Sequence, residues 1–198
     1  DYEGLSPLFA LGGGAVIVLM TSLFRAVFVQ RVLVPALTLA TLAAAAGLTI
    51  WQWETGDLEP IVENALAVDT LALGAGLLFY AAGLLTVVLS LRSEAVREAG
   101  AGEYFALLLS SIAGMVVLAS AENLVTLFVG LELLSIPLYA LCAADLKRGT
   151  SLEAGLKYLI VGSFGSAILL FGSALVYGAT GELGFSQIAG ANAGDDYL

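Results

Sequence analysis

The chain has 198 residues, 60% of them hydrophobic and 12% charged, with a mean hydropathy of +0.98 and a net charge of −10. A soluble domain runs at about 45–50% apolar and about 25% charged, so this composition excludes an ordinary soluble domain. One cysteine and no histidine exclude an internal disulfide framework and metal centres built on those residues, and no nucleic-acid partner is expected.

Residues 4–24, 32–53, 70–91, 104–121 and 158–181 carry no charge at all, and 123–144 carries only Glu132. Spanning a hydrocarbon core of about 30 Å takes about 20 helical residues. The expected fold is therefore all-α, a polytopic membrane bundle of about six transmembrane helices. A membrane β-barrel would alternate in polarity over segments of about 10 residues, which these continuous runs do not. The first run follows Asp1 and Glu3 rather than Lys or Arg, so it lacks the basic leader of a signal peptide. Its Gly12-Gly13-Gly14 lets another backbone approach closely. The second run ends in Trp51 and Trp53, whose indoles suit a membrane interface. The loop that follows, containing Pro60, is expected to be partly helical and to lie across the surface. Fourth and fifth runs meet at Ser120-Ala121-Glu122-Asn123, a turn tight enough to force an antiparallel hairpin. Ahead of the sixth run, Thr150 and Glu153 fit a capping box. Small residues then recur at Gly155, Gly162, Ser166 and Ser173, giving one narrow face that should pack against another helix. Cys142 reads as a small packing residue.

Charges in the connecting segments alternate. Arg25 and Arg31 lie between the first and second helices, Arg92 and Arg97 between the third and fourth, Lys147 and Arg148 between the fifth and sixth. The segment 54–69 has five acids and no base, the turn at Glu122 no base, and the stretch from Glu182 three acids and no base. Cytoplasmic loops carry the excess of Lys and Arg. The N-terminus is thus expected on the non-cytoplasmic side.

Two ionisable groups fall within the runs. Glu132 is ten residues past Glu122, about 15 Å into the bilayer at the helical rise, beyond reach of either surface. An ionised group there costs on the order of 2.5–3.5 kcal/mol. It is either a proton-binding carboxylate in a hydrated path or a protonated group hydrogen-bonded to a neighbouring helix. Pro137 removes one N–H and frees the Leu133 carbonyl beside it, and Ser135 lies one turn on, roughly on the same face. Lys157 follows Glu153 at salt-bridge spacing. It either pairs with Glu153 and snorkels outward, or faces the bundle and exchanges protons. Counting rise leaves a depth gap of about 10 Å between Glu132 and Lys157, too wide for an ion pair. Glu132 has no evident cationic partner in this chain.

The segments ENLVTLFVGLELLSIPLYALCA and SLEAGLKYLIVGSFGSAILLFGSALVYGATGEL closely resemble the subunit N family of bacterial NADH-quinone oxidoreductase, respiratory complex I, one of the antiporter-like proton-pumping subunits. The resemblance is strong from Glu122 to Leu183. It implies that Glu132 is the family's fifth-helix glutamate, coupled to a lysine in a seventh helix and to others in helices 8 and 12, and that Lys157 matches a sixth-helix lysine. The proton-translocating residues would be Glu132 and Lys157, supported by Ser135, Pro137 and Glu153. Residues 1–103 would hold the three N-terminal helices, 104–181 the start of the antiporter-like domain, and 182–198 a loop or truncated tail. The chain, lacking an initiator Met, reads as an N-terminal fragment. The resemblance also implies a bacterial inner-membrane location among the other membrane subunits of complex I and the lipid bilayer. No cofactor is expected in this chain, with flavin, iron–sulfur clusters and quinone sites in other subunits. Two alternatives stand beside this one: a subunit of a multi-subunit cation/proton antiporter or membrane-bound hydrogenase, and a purely structural membrane scaffold.

Overall fold

The computed structural model describes residues 2–24, 26–56, 60–62 and 65–191. Arg25, Asp57, Glu59 and Glu63, used in the loop-charge reading, lie outside the described residues, as do Asp1 and 192–198. Among the described residues eight helices run in order: α1 (Ser6–Ser22), α2 (Val34–Thr55) led in by a π-helical turn at Val29–Leu33, α3 (Thr70–Ser90), α4 (Glu94–Ala99), α5 (Ala101–Ala119), α6 (Leu124–Cys142), α7 (Gly149–Thr180) and α8 (Phe185–Gly190). Four of the long helices, with the Val29–Thr55 stretch of α2 and its lead-in, are long and apolar enough to cross a membrane; α1, at 17 residues, is a shorter apolar helix. Among the described residues the bundle is all-α apart from one small hairpin, and its six long helices match the six apolar runs.

Local chemistry sets the boundaries. Asp69 and Asn123 cap α3 and α6 by accepting from the backbone N–H of Ala72 and Thr126, both at 2.7 Å, which satisfies a free donor at each start. Gly56 and Gly181 end α2 and α7 in the left-handed conformation that a residue with a Cβ adopts at a cost. The capping box is not formed. α7 begins one residue before Thr150, Arg148 occupies the cap position without a side-chain bond, and Glu153 turns instead to Lys157.

α5 is the hub. It packs against α1, α2, α3 and α6, and Phe105, Leu109 and Ile112 are buried with Leu11, Val18, Leu42, Tyr80 and Val87. Several hydroxyls inside this apolar bundle are satisfied by the preceding turn. Thr38, Thr41, Thr49 and Ser110 donate to the carbonyls of Val34, Leu37, Ala45 and Ala106 at 2.9–3.0 Å. Such back-bonding removes the penalty of an unpaired polar group in a medium without water.

The two ends of the bundle differ as the charge pattern anticipates. At one end, the described part of segment 54–69 that follows α2 holds a two-stranded antiparallel ladder, β1 (Pro60–Ile61) with β2 (Leu66–Ala67), where a partly helical loop was expected. The α5–α6 turn completes that ladder. Ala67 donates to the Ser120 carbonyl and Glu122 to that of Ala65, while Phe185 donates to Glu122 and Leu124 to Leu183. Backbone groups that would sit unpaired at the helix ends are thereby paired. Gln52 ties in the N-terminal segment by donating to the Glu3 and Gly4 carbonyls. At the other end, Arg31, Arg92, Arg97 and Glu98 line one groove, and Lys147 reaches across to Glu98. The short α4 lies here, and neither it nor α8 was anticipated: six-residue helices are too brief to show a period.

Candidate functional site

Glu132 lies one residue from the middle of the 19-residue α6. Close contacts fix which way α6 faces. Gly114 of α5 sits against the backbone of Leu133 and Leu134, and Gly130 against Leu118. On the opposite side, Gly155 of α7 meets Ala143 and the Tyr139 carbonyl, and Gly162 meets the Tyr139 ring. Tyr139 also packs edge-on against Tyr158, with ring centroids 4.9 Å apart. α6 is thus held between α5 and α7 by glycines that remove side-chain bulk, the means by which helices associate where hydrophobic driving force is weak.

The helical period places Glu132 on one of these two faces. It precedes Tyr139 by seven positions and Ala143 by eleven, spacings that return to the same stripe of a 3.6-residue helix. That stripe is the one facing α7. Gly130, Leu134 and Pro137 form the stripe facing α5, and Pro137 is buried there. α6 runs unbroken through Pro137. Glu132 Oε1 is buried and has no hydrogen-bond partner. Ser135, half-buried, does not supply one. A buried acceptor without a donor costs on the order of 1–3 kcal/mol, more when charged. Such a group invites a proton, a water or a cation.

Lys157 is not that cation in this arrangement. Its Nζ pairs with Glu153 at 2.6 Å, and the two side chains are 71% and 61% exposed. Lys157 follows Gly155 by two residues, about 200° around the helix, so it points away from α6. By the Gly155–Ala143 contact it stands level with Leu141, nine residues and about 14 Å along the axis from Glu132. The structure therefore separates Glu132 from Lys157 in depth, as the rise count anticipated, and also in direction, which sequence alone did not show. An ion pair this exposed is worth at most about 1 kcal/mol.

Cys142 is exposed rather than packed, because it falls between the two stripes that α5 and α7 cover. Sequence reading also passed over Ser111 of α5. It is 1% exposed with an unpartnered hydroxyl, three residues from Gly114 on the α6-facing side. Its sequence signal was the Ser110-Ser111 pair mid-helix. Among the described residues no group of three or more His, Cys, Asp or Glu is placed to hold a metal ion. Much of the surface of α7 is uncovered and apolar, with Val161, Phe164 and Phe171 largely exposed.

Residues 121–197 match the family model described as NADH:quinone oxidoreductase/Mrp antiporter, transmembrane. The chain is 40% identical over 189 residues to NADH-quinone oxidoreductase subunit N 1 of Symbiobacterium thermophilum, covering 94% of this chain and 37% of that protein. It is 38% identical over 195 residues to subunit N of Myxococcus xanthus, covering 96% and 36%. It thus spans little more than a third of the length of these relatives. Among solved structures, it is similar to a chain of respiratory complex I from Thermus thermophilus, with a TM-score of 0.75 and 33% identity over 93% of this chain and 42% of that one. A membrane-bound sulfane sulfur reductase from an archaeal respiratory complex shares the fold, with a TM-score of 0.79 at 24% identity over 94% and 39%.

Proposed function

We propose that this chain, which belongs to the NADH:quinone oxidoreductase/Mrp antiporter transmembrane family, forms part of a membrane-arm subunit that couples NADH:quinone oxidoreduction to proton translocation. One observation carries the reading: a carboxylate oxygen is buried without a partner at mid-helix, on the stripe of α6 that the helical period turns to α7. A group so placed changes its proton occupancy when a nearby charge moves, because charges interact strongly where the dielectric is low. Glu132 is the proton-carrying group. Pro137 leaves the Leu133 carbonyl without its helical donor, and Ser135 adds a hydroxyl on the same side, so both can hold water near the carboxylate. Lys157, held by Glu153 on the far face of α7, answers to whatever covers that face.

Redox chemistry belongs to other subunits in this reading, which also hold the flavin, iron–sulfur and quinone sites. The bare face of α7 meets further membrane helices or lipid, residues 104–181 open the proton-translocating domain, and the basic end of the bundle faces the cytoplasm of a bacterial inner membrane. The family description also names Mrp antiporters, which favours a cation/proton antiporter subunit as the second reading. Neighbouring quinone-reductase genes rather than antiporter genes select the first. The experiment is Glu132→Gln in the full-length protein within its assembly. NADH-driven proton uptake should fall with assembly intact, and unchanged pumping overturns the role.

A further inference from the structure

The face that α7 turns to α6 contains Gly155, Gly162 and, on the same period, Ser166 and Ser173. Ser166 is 8% exposed. α6 and α7 run antiparallel, and Gly155 meets Ala143. Ser166 lies eleven residues after Gly155, and Glu132 lies eleven residues before Ala143. Both steps amount to about 17 Å along their axes, so Ser166 and Glu132 stand level. The spacings of seven and eleven also keep each on the stripe that faces the other helix.

Hydrogen bonding also leaves this pair unmatched, and the other unpartnered hydroxyl, Ser111 of α5, lies on the opposite side of α6. Ser173 gives its hydroxyl to the Leu169 carbonyl at 2.9 Å, as Thr38, Thr41, Thr49 and Ser110 do to their preceding turns. Ser166 makes no such bond among the described residues, and Glu132 Oε1 has no donor. A donor and an acceptor, neither of them hydrogen-bonded, thus stand at one height on facing stripes of a seam kept narrow by glycine. We infer that the Ser166 hydroxyl is the hydrogen-bond partner of Glu132 through one bridging water. Ser166 is then a positioning residue: it holds the carboxyl group in the seam and steadies the form that carries charge. Its functional meaning rests on the proton-carrying role proposed for Glu132, whereas the contact itself does not.

The test is infrared spectroscopy of the full-length protein in its assembly, recorded through an acid titration. The carbonyl stretch of protonated Glu132 is identified by its loss in Glu132→Gln. Ser166→Ala should move that band to higher wavenumber and slow NADH-driven pumping about tenfold, the effect of losing one charge-assisted hydrogen bond. Ser166→Thr, which keeps the hydroxyl, should restore both, and Ser173→Ala should change neither. Ser166→Cys, close in size but a weak donor, gives a partial band shift even if Ser166→Ala fails to assemble. A band that stays in place in both Ser166→Ala and Ser166→Cys overturns the inference. If Glu132→Gln leaves pumping intact, the functional reading falls while the band still reports the contact.

Discussion

Replacing Gly114 with Ala should loosen the α5–α6 seam. A Cβ at Gly114 would run into the backbone of Leu133 and Leu134, and backbone, unlike a flexible side-chain end, cannot rotate away. The helices must separate instead, and such overpacking costs about 1–3 kcal/mol. The damage reaches the site, because Leu133 adjoins Glu132. A displacement on the order of 1 Å at a reacting group can cost about 100-fold in rate. Gly13→Ala is the control, since nothing lies within 4 Å of a Cβ there and alanine favours a helix. The assay is thermal unfolding in detergent followed by circular dichroism, alongside coupled pumping. Gly114→Ala should melt below the parent and pump poorly, while Gly13→Ala should match or exceed the parent in stability. Equal melting of the two variants refutes the close packing of α5 on α6 at Gly114.

Gln52→Leu should free the N-terminal segment, because Gln52 is its tie to α2 through the Glu3 and Gly4 carbonyls. Hydrogen exchange at residues 3–8 should speed up by about tenfold, the equivalent of one net hydrogen bond, with the α5 core unchanged. Cys142, exposed beside the basic end of the bundle, should react with a membrane-impermeant maleimide in inverted vesicles but not in right-side-out vesicles, in a background free of other cysteines. Labelling of only the right-side-out vesicles reverses the assigned orientation.

The helix count and charge alternation were readable because a bilayer imposes them. A spanning helix needs a long uncharged run, and the basic loops fall at alternate ends. Boundaries set by single side chains were less legible. Thr150 and Glu153 have capping-box spacing, yet Glu153 had a second partner within reach in Lys157, and the ion pair took it. Segment 54–69 gave no sign of a ladder because its partners, Ser120 and Glu122, come from a turn over fifty residues away. At the site, Glu132 was visible as a charge where none is expected. Which face it occupies was not, because the period of α6 shows no preferred apolar side. Only the glycine contacts with Leu118, Ala143 and Tyr139 reveal that α6 is covered on two opposite sides. The same contacts turn Lys157 outward and bring Ser166, first visible only as a small residue, level with the carboxylate.

The measurement closest to the central claim is the number of protons moved per electron by the full-length protein, assembled and reconstituted in vesicles, compared between the parent and Glu132→Gln. Glutamine keeps the volume and hydrogen-bonding capacity but cannot carry the proton. Glu132→Gln should show a lower proton-to-electron ratio at comparable assembly. An unchanged ratio together with unchanged NADH oxidation contradicts it and leaves Glu132 a packing residue of the seam.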